Sequence, residues 1–176
     1  KLSQSKSSSV LYECANTLLT ISNSQKALKL ASSILIQLLN STNDNNIKLM
    51  ILQKLSKLKS ISPKLIEDQI IEITDSLKSD SFDIRMQVID LIRECSSTKS
   101  AETIIELLQQ QLSKYLKEKS SIDSEFIGKL LENIDFLIQK FVFKPSSIIS
   151  LFSNLIQLSN VDESSSIHIS AIFNKI

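Results

Sequence analysis

Residues 62–78 read SPKLIEDQIIEITDSLK, and the order of residue types in that run decides what kind of chain this is. Ser62 stands where a helix N-cap belongs, and Pro63 takes the first helical position, where its missing N–H costs nothing. Beyond them, at about 100° per residue, Ile66, Ile70, Ile73 and Leu77 fall within an arc of about 60°. Asp68, Glu72, Asp75 and Lys78 occupy the far side. The spacing predicts one amphipathic helix with a single narrow apolar stripe.

Working outward, Ser24 and Ser100 stand as comparable N-caps, 38 residues before and 38 after Ser62, and a fourth start falls at Pro145, 45 residues beyond Ser100. A second series of starts lies near Asp44, Ser81, Ile122 and Asp162, spaced 37, 41 and 40 residues apart. Two interleaved series of roughly equal period mean that the repeating unit is a helical hairpin. The expected segments are a lone helix over 8–23, then hairpins over 24–60, 61–98, 99–143 and 144–176. Hairpins recurring at about 40 to 47 residues mark HEAT or armadillo arrays, whereas tetratricopeptide units recur at about 34. The fold class expected is therefore all-α: a right-handed HEAT-type superhelix, or solenoid of helical hairpins.

Other helices carry the same signal at different widths. Ile84, Val88, Leu91, Ile92 and Cys95 form a stripe about 100° wide, and Phe126, Ile127, Leu130, Leu131, Ile134, Leu137, Ile138 and Phe141 spread over about 140°. The broader stripe needs more than one neighbour. One hairpin cannot bury enough apolar surface to offset the entropy of ordering it, so each unit is expected to lean on the next.

Composition excludes whole classes of function. Gly128 is the only glycine, which rules out glycine-rich turns that cradle dinucleotides or phosphates and the nucleophile elbow of hydrolases. Twenty basic residues against nineteen acidic ones leave a net charge of +1, too balanced for a chain whose main partner is nucleic acid. Cys14 and Cys95 sit inside apolar periodic segments, as reduced, buried thiols of a cytosolic protein would. The uncharged stretch over 145–161 is interrupted by Ser146, Ser147, Ser150, Ser153, Asn154, Gln157 and Ser159, so no membrane span is expected. With Lys1 at one end and periodic sequence running into both termini, the chain reads as a piece of something longer.

HEAT units commonly carry an acidic-to-basic signature at the start of the second helix, and Asp83-Ile84-Arg85 and Asn46-Ile47-Lys48 fit it. A closer likeness lies over residues 8–60. Ser8-Ser9-Val10-Leu11-Tyr12-Glu13, then Asp44-Asn45-Asn46-Ile47-Lys48-Leu49, then Leu52, Leu55 and Leu58-Lys59 resemble the trunk region of coatomer beta subunits and, more widely, the adaptin family. Beyond about residue 80 the likeness thins to Asp83-Ile84-Arg85 and residues 102–108. The resemblance implies a segment of a large α-solenoid trunk in the cytoplasmic COPI vesicle coat. Such trunks hold other coatomer subunits in their curve and help recruit the coat peripherally to Golgi membranes with an Arf-family GTPase. No cofactor and no small-molecule substrate are expected, and the missing histidines, glycines and clustered acids argue against the alternative of a helical enzyme domain. Periodicity alone leaves open another HEAT scaffold, such as a nuclear transport receptor or a phosphatase scaffold. Charge concentrated in two helices, rather than running through every repeat, argues against the transport receptor.

Few residues suggest chemistry. His168 is the only histidine and has neither cysteine near it in sequence, so no metal site or nucleophilic triad is expected around it. Glu102 and Glu106 share one helix face and read as solvated acids near a helix N-terminus, where the helix dipole favours them. Tyr12 and Tyr115 read as packing residues with wet hydroxyls. Gly128 falls opposite the Phe126 and Leu137 stripe. The strongest charge feature is a run of five lysines, at 48, 54, 57, 59 and 64, followed from Glu67 to Asp83 by six acids against Lys78 alone. Lys48, Lys54 and Lys57 are the candidate interface residues, for an acidic partner surface or anionic headgroups. Val10, Leu11 and Leu18 are expected to leave one end of the array apolar and adhesive.

Overall fold

The computed structural model describes residues 7–118, 124–141 and 153, all of them helical or in short connections. In chain order the helices are α1 (Ser8–Ile21), α2 (Gln25–Ser41), α3 (Asn45–Ile61), α4 (Pro63–Glu67), α5 (Ile70–Ile73), a 3-10 helix (Thr74–Lys78), α6 (Phe82–Cys95), α7 (Ala101–Glu118) and α8 (Ser124–Lys140). No strand occurs among the described residues. The chain divides within α6 into two compact units, Lys1–Leu91 and Ile92–Ile176. The expected starts at Ile122, Pro145 and Asp162, most of the 144–176 hairpin, and His168 lie outside the described residues.

In the first unit the turns are short and capped. The Ser24 hydroxyl accepts from Ala27 N, starting α2. Asp44 Oδ1 accepts from Asn46 N at 2.8 Å and Ile47 N at 3.3 Å, starting α3. Three-residue connections force α1 against α2 and α2 against α3, antiparallel. α1 and α3 therefore run the same way, and Lys54 Nζ of α3 donates to Asn16 Oδ1 of α1 at 2.8 Å. α2 also touches α4, α5 and the 3-10 helix, which is why its buried face is broad: Leu28, Ala31, Ile34, Leu35, Ile36, Leu38 and Leu39. Two layers result, α1 and α3 in one, α2 and the broken helix in the other.

Removing the Asp44 cap gives a direct check on this turn. Asp44→Ala is expected to lower stability by about 1 kcal/mol, whereas Asp44→Asn, whose side-chain oxygen can accept the same bonds, should lose little. A shift of the denaturant midpoint at constant slope would read it.

The helix expected over 62–78 is corrected in its continuity. Ser62 ends α3 and begins α4 without a side-chain cap, although Pro63 does take the first helical position. α4 stops at Glu67, and the chain passes through Gln69 at φ −112° and ψ 2° before α5. Backbone N–H groups of Gln69 and Glu72 donate three residues back, to Ile66 and Gln69 carbonyls, the tighter winding of a 3-10 turn. Ile66, Ile70, Ile71, Ile73 and Thr74 crowd this segment with β-branched side chains, which weaken α-helix. Thr74 Oγ1 also turns onto the Ile71 carbonyl at 2.6 Å, and α2 holds the kinked backbone through Asn40 Nδ2 on the Glu72 carbonyl at 3.3 Å. The stripe survives the break, since Ile66, Ile70, Ile73 and Leu77 are all fully buried.

Across α6 the expected stripe is buried throughout, from Ile84 to Cys95. In the second unit α7 packs on α8. α7 buries Ile104, Ile105, Leu108, Leu112 and Tyr115, and α8 buries Phe126, Leu130, Leu131, Ile134 and Leu137. Ile127, Ile138 and Phe141, at the margins of the expected stripe, are only half-buried. Ser100 opens α7 through its carbonyl, which Ile104 N reaches at 2.9 Å. Its hydroxyl is turned back, accepting from Ser97 N at 3.1 Å.

Candidate interaction surface

The three candidate lysines all project from α3, but they do not share one environment. Lys48 lies one turn into the helix and is half-buried. Lys54 is half-buried too, and its ammonium ties α3 to α1 through Asn16. Lys57 is exposed. Sequence reasoning had no means of finding the Lys54 partner, because Asn16 is 38 positions away.

The acids after Glu67 are mostly solvated. Asp68, Glu72, Asp75, Asp80 and Asp83 are exposed, and Glu67 is half-buried. Asp75 pairs locally with Lys78 at 2.8 Å, both side chains being more than 60% exposed, so this pair adds little stability. The opposite signs of neighbouring helices are therefore held in solvent rather than consumed in a network.

Glu102 and Glu106 are both exposed on α7, away from Ile104, Ile105 and Leu108, as solvated acids would be. Tyr115 packs edge-on against Phe126, with ring centroids 5.1 Å apart and planes at 75°. Tyr12 is half-buried. A Cβ at Gly128 would meet open space, consistent with its place off the packed face. Cys95 is buried as expected, while Cys14 is only half-buried, and no disulfide joins the two. Among the described residues no group of three or more His, Cys, Asp or Glu could hold a metal ion. No described helix is long and apolar enough to cross a membrane.

A shallow cavity of about 200 Å³ in the second unit is lined by Arg93, Glu132, Asp135, Phe136 and Gln139. The Arg93 guanidinium lies 4.7 Å from the Phe136 ring centroid, Lys129 pairs with Glu132 at 3.0 Å, and Gln139 Nε2 donates to Asp135 Oδ1 at 2.7 Å. Of its lining groups Gln139 and Asp135 engage each other, Arg93 lies over Phe136, and Glu132 is paired with Lys129 beside the notch.

The adhesive end expected at Val10, Leu11 and Leu18 is corrected in part. Leu11 is buried, Leu18 is half-buried, and only Val10 remains exposed. Leu11 and Ala15, one helical turn apart, form the buried face that α1 turns into the unit. The most exposed large apolar residues are Ile21, at 79%, and Ile61, at 60%.

The chain matches the family described as Adaptin N terminal region over residues 1–176. It is 29% identical over 155 residues to coatomer subunit beta-2 of Arabidopsis thaliana, covering 88% of this chain and 16% of that protein. It is 34% identical over 133 residues to coatomer subunit beta of Dictyostelium discoideum, covering 76% of this chain and 15% of that protein. The corresponding protein of Schizosaccharomyces pombe is 32% identical over 113 residues, 64% of this chain and 12% of its own length. The chain thus spans about one-sixth or less of each of these relatives.

Proposed function

Because the chain belongs to the Adaptin N terminal region family, we propose that it is a segment of a coatomer beta subunit trunk, a structural scaffold of the COPI vesicle coat. It acts by protein–protein contact in Golgi-to-ER and intra-Golgi transport and performs no catalysis. Its partners are the other coatomer subunits, with an Arf-family GTPase engaged through the parent trunk. The coat places it in the cytoplasm, peripheral on Golgi membranes and vesicles. The observation that carries this reading is the similarity to coatomer beta subunits along 76% to 88% of the chain. The physical reading agrees, since stacked amphipathic helices with solvated charged faces offer surface for binding.

Affinity capture with the tagged full-length parent tests it. Recovery of coatomer subunits is the expected result, and recovery of nuclear transport or phosphatase subunits in their place would end the assignment. Within that experiment Lys48 and Lys57 are proposed to contribute a contact with an acidic partner surface. Charge reversal at both is expected to lower partner recovery several-fold, with the helical spectrum unchanged. Lys54 is left intact there, because its bond to Asn16 would confound binding with folding. Equal recovery from the double variant would remove these two lysines from the interface.

A further inference from the structure

The antiparallel turns of the first unit sort its charge by end as well as by helix. The turn at 22–24 and the single residue Ser62 lie at one end, and the turn at 42–44 and the loop at 79–81 lie at the other. At the Ser62 end stand Lys26, Lys57 and Lys64, all exposed, with Lys59 half-buried beside them. Lys26, Lys57 and Lys64 form no ion pair with any described residue. At the opposite end stand Asp44, Asp75, Asp80 and Asp83, together with Lys48, with Arg85 turned onto the Ser79 carbonyl and with Lys78 bound to Asp75. From Cys14 to Ile66 the sequence holds a single acid, Asp44, and that one caps α3 at the far end. Acids resume at Glu67 and Asp68, which lie about as far from Ser62 as Lys57 does, so the end keeps an excess of lysine over acid.

The same lysine-bearing end carries the two most exposed aliphatic side chains described. Ile21 closes α1 and Ile61 closes α3. These helices run in one direction and are fastened by the Asn16–Lys54 bond, so both isoleucines emerge at the same rim. The two helices are close enough for one lysine side chain to bridge them, a span that a few extended residues cover. Large aliphatic groups left in water beside an excess of lysine describe a surface awaiting a partner of mixed character.

We propose that this rim docks an acidic peptide segment that carries aliphatic side chains, with Ile21 and Ile61 taking the aliphatic groups and Lys26, Lys57 and Lys64 facing the carboxylates. Charge complementarity selects the acidic partner and sets its encounter rate, while the isoleucines give the contact an apolar anchor. A peptide is favoured over a bilayer because two isolated side chains on neighbouring helix ends are matched by two residues of one segment, whereas no continuous apolar face is present for insertion. The inference does not depend on which coat the parent joins.

The test uses the full chain and a fluorescein-labelled twelve-residue peptide bearing six Glu and, three residues apart, two Leu. The expected result is saturable anisotropy in the micromolar range. It should weaken about tenfold for the Ile21→Ser, Ile61→Ser pair and about tenfold for the Lys26→Glu, Lys64→Glu pair. It should also weaken for a peptide with Ser in place of both Leu, and as salt rises. The four substituted positions are exposed, so circular dichroism should not change, and the Ser-substituted peptide tests the anchor without altering the protein. No binding up to about 1 mM, or binding indifferent to the Ile and Lys variants, overturns the proposal. Capture of phosphatidylserine vesicles without peptide binding overturns it as well, in favour of a lipid face.

Discussion

Phe126→Ala is expected to lower the stability of the second unit by about 3–5 kcal/mol, among the largest losses a single substitution in this chain can produce. Phe126 is fully buried near the start of α8, and its ring meets Tyr115 of α7 edge-on. Truncation removes the transfer energy of the ring and leaves a cavity lined by residues of two helices that cannot collapse far. It also strands Tyr115, which is 7% exposed and loses an edge-to-face contact worth about 0.5–1.5 kcal/mol. Hydrogen exchange should report the change as faster opening of α7 and α8 amides together, since the pair spans both helices. Phe126→Leu keeps apolar volume and should recover more than half of the loss. Unaltered exchange in α7 with fast exchange confined to α8 would show that the ring does not join the helices as described.

The signals that were legible in the sequence are those that one helix can carry alone. Ser24 and Asp44 cap helices because short oxygens before an apolar period do so locally. The stripes of α6 and of residues 66–77 are buried because periodicity of 3.6 reports a face whatever that face touches. What the sequence withheld depends on neighbours. The break between α4 and α5 follows from several weak preferences of β-branched residues, tipped by bonds from Asn40 and Gln69 that cross helices. Gln69 Nε2, for example, reaches Ser33 Oγ of α2 at 3.0 Å. The half-burial of Ile127, Ile138 and Phe141 reflects how far α8 is covered, which a stripe width cannot state.

The surroundings of the charged residues stayed hidden in the sequence for a related reason. Lys54 sits in a run of lysines and looks like its neighbours, yet only the parallel course of α1 and α3 brings Asn16 within 2.8 Å of it. Linear order also conceals that Lys26 and Lys64, 38 positions apart, stand at one end of the unit. Turn geometry converts sequence separation into spatial proximity, and the exposed Ile21 and Ile61 become a joint feature only after that conversion.

Leu35→Ala should cost about 2–5 kcal/mol in the first unit, and its distribution matters more than its size. Leu35 is 1% exposed near the middle of α2, the helix that touches α1, α3, α4, α5 and the 3-10 helix. Each of those elements is too short or too weakly patterned to persist alone. α4 and α5 have five and four residues, well below the roughly 12 to 15 at which isolated helices become marginal in water. A void beside α2 therefore loosens elements that carry no substitution. Domains are stable by only about 5–15 kcal/mol in total, so the loss is a large share of what holds the unit. Native-state hydrogen exchange should show α3, α5 and the 3-10 helix opening faster in Leu35→Ala, alongside α2 itself. Ser33→Ala, an exposed change on the same helix, should leave α3 unaffected and alter at most the segment that Gln69 ties to it. If Leu35→Ala disturbed α2 alone, the helices would be holding their structure independently, and the mutual dependence that makes a stack of hairpins one scaffold would be absent.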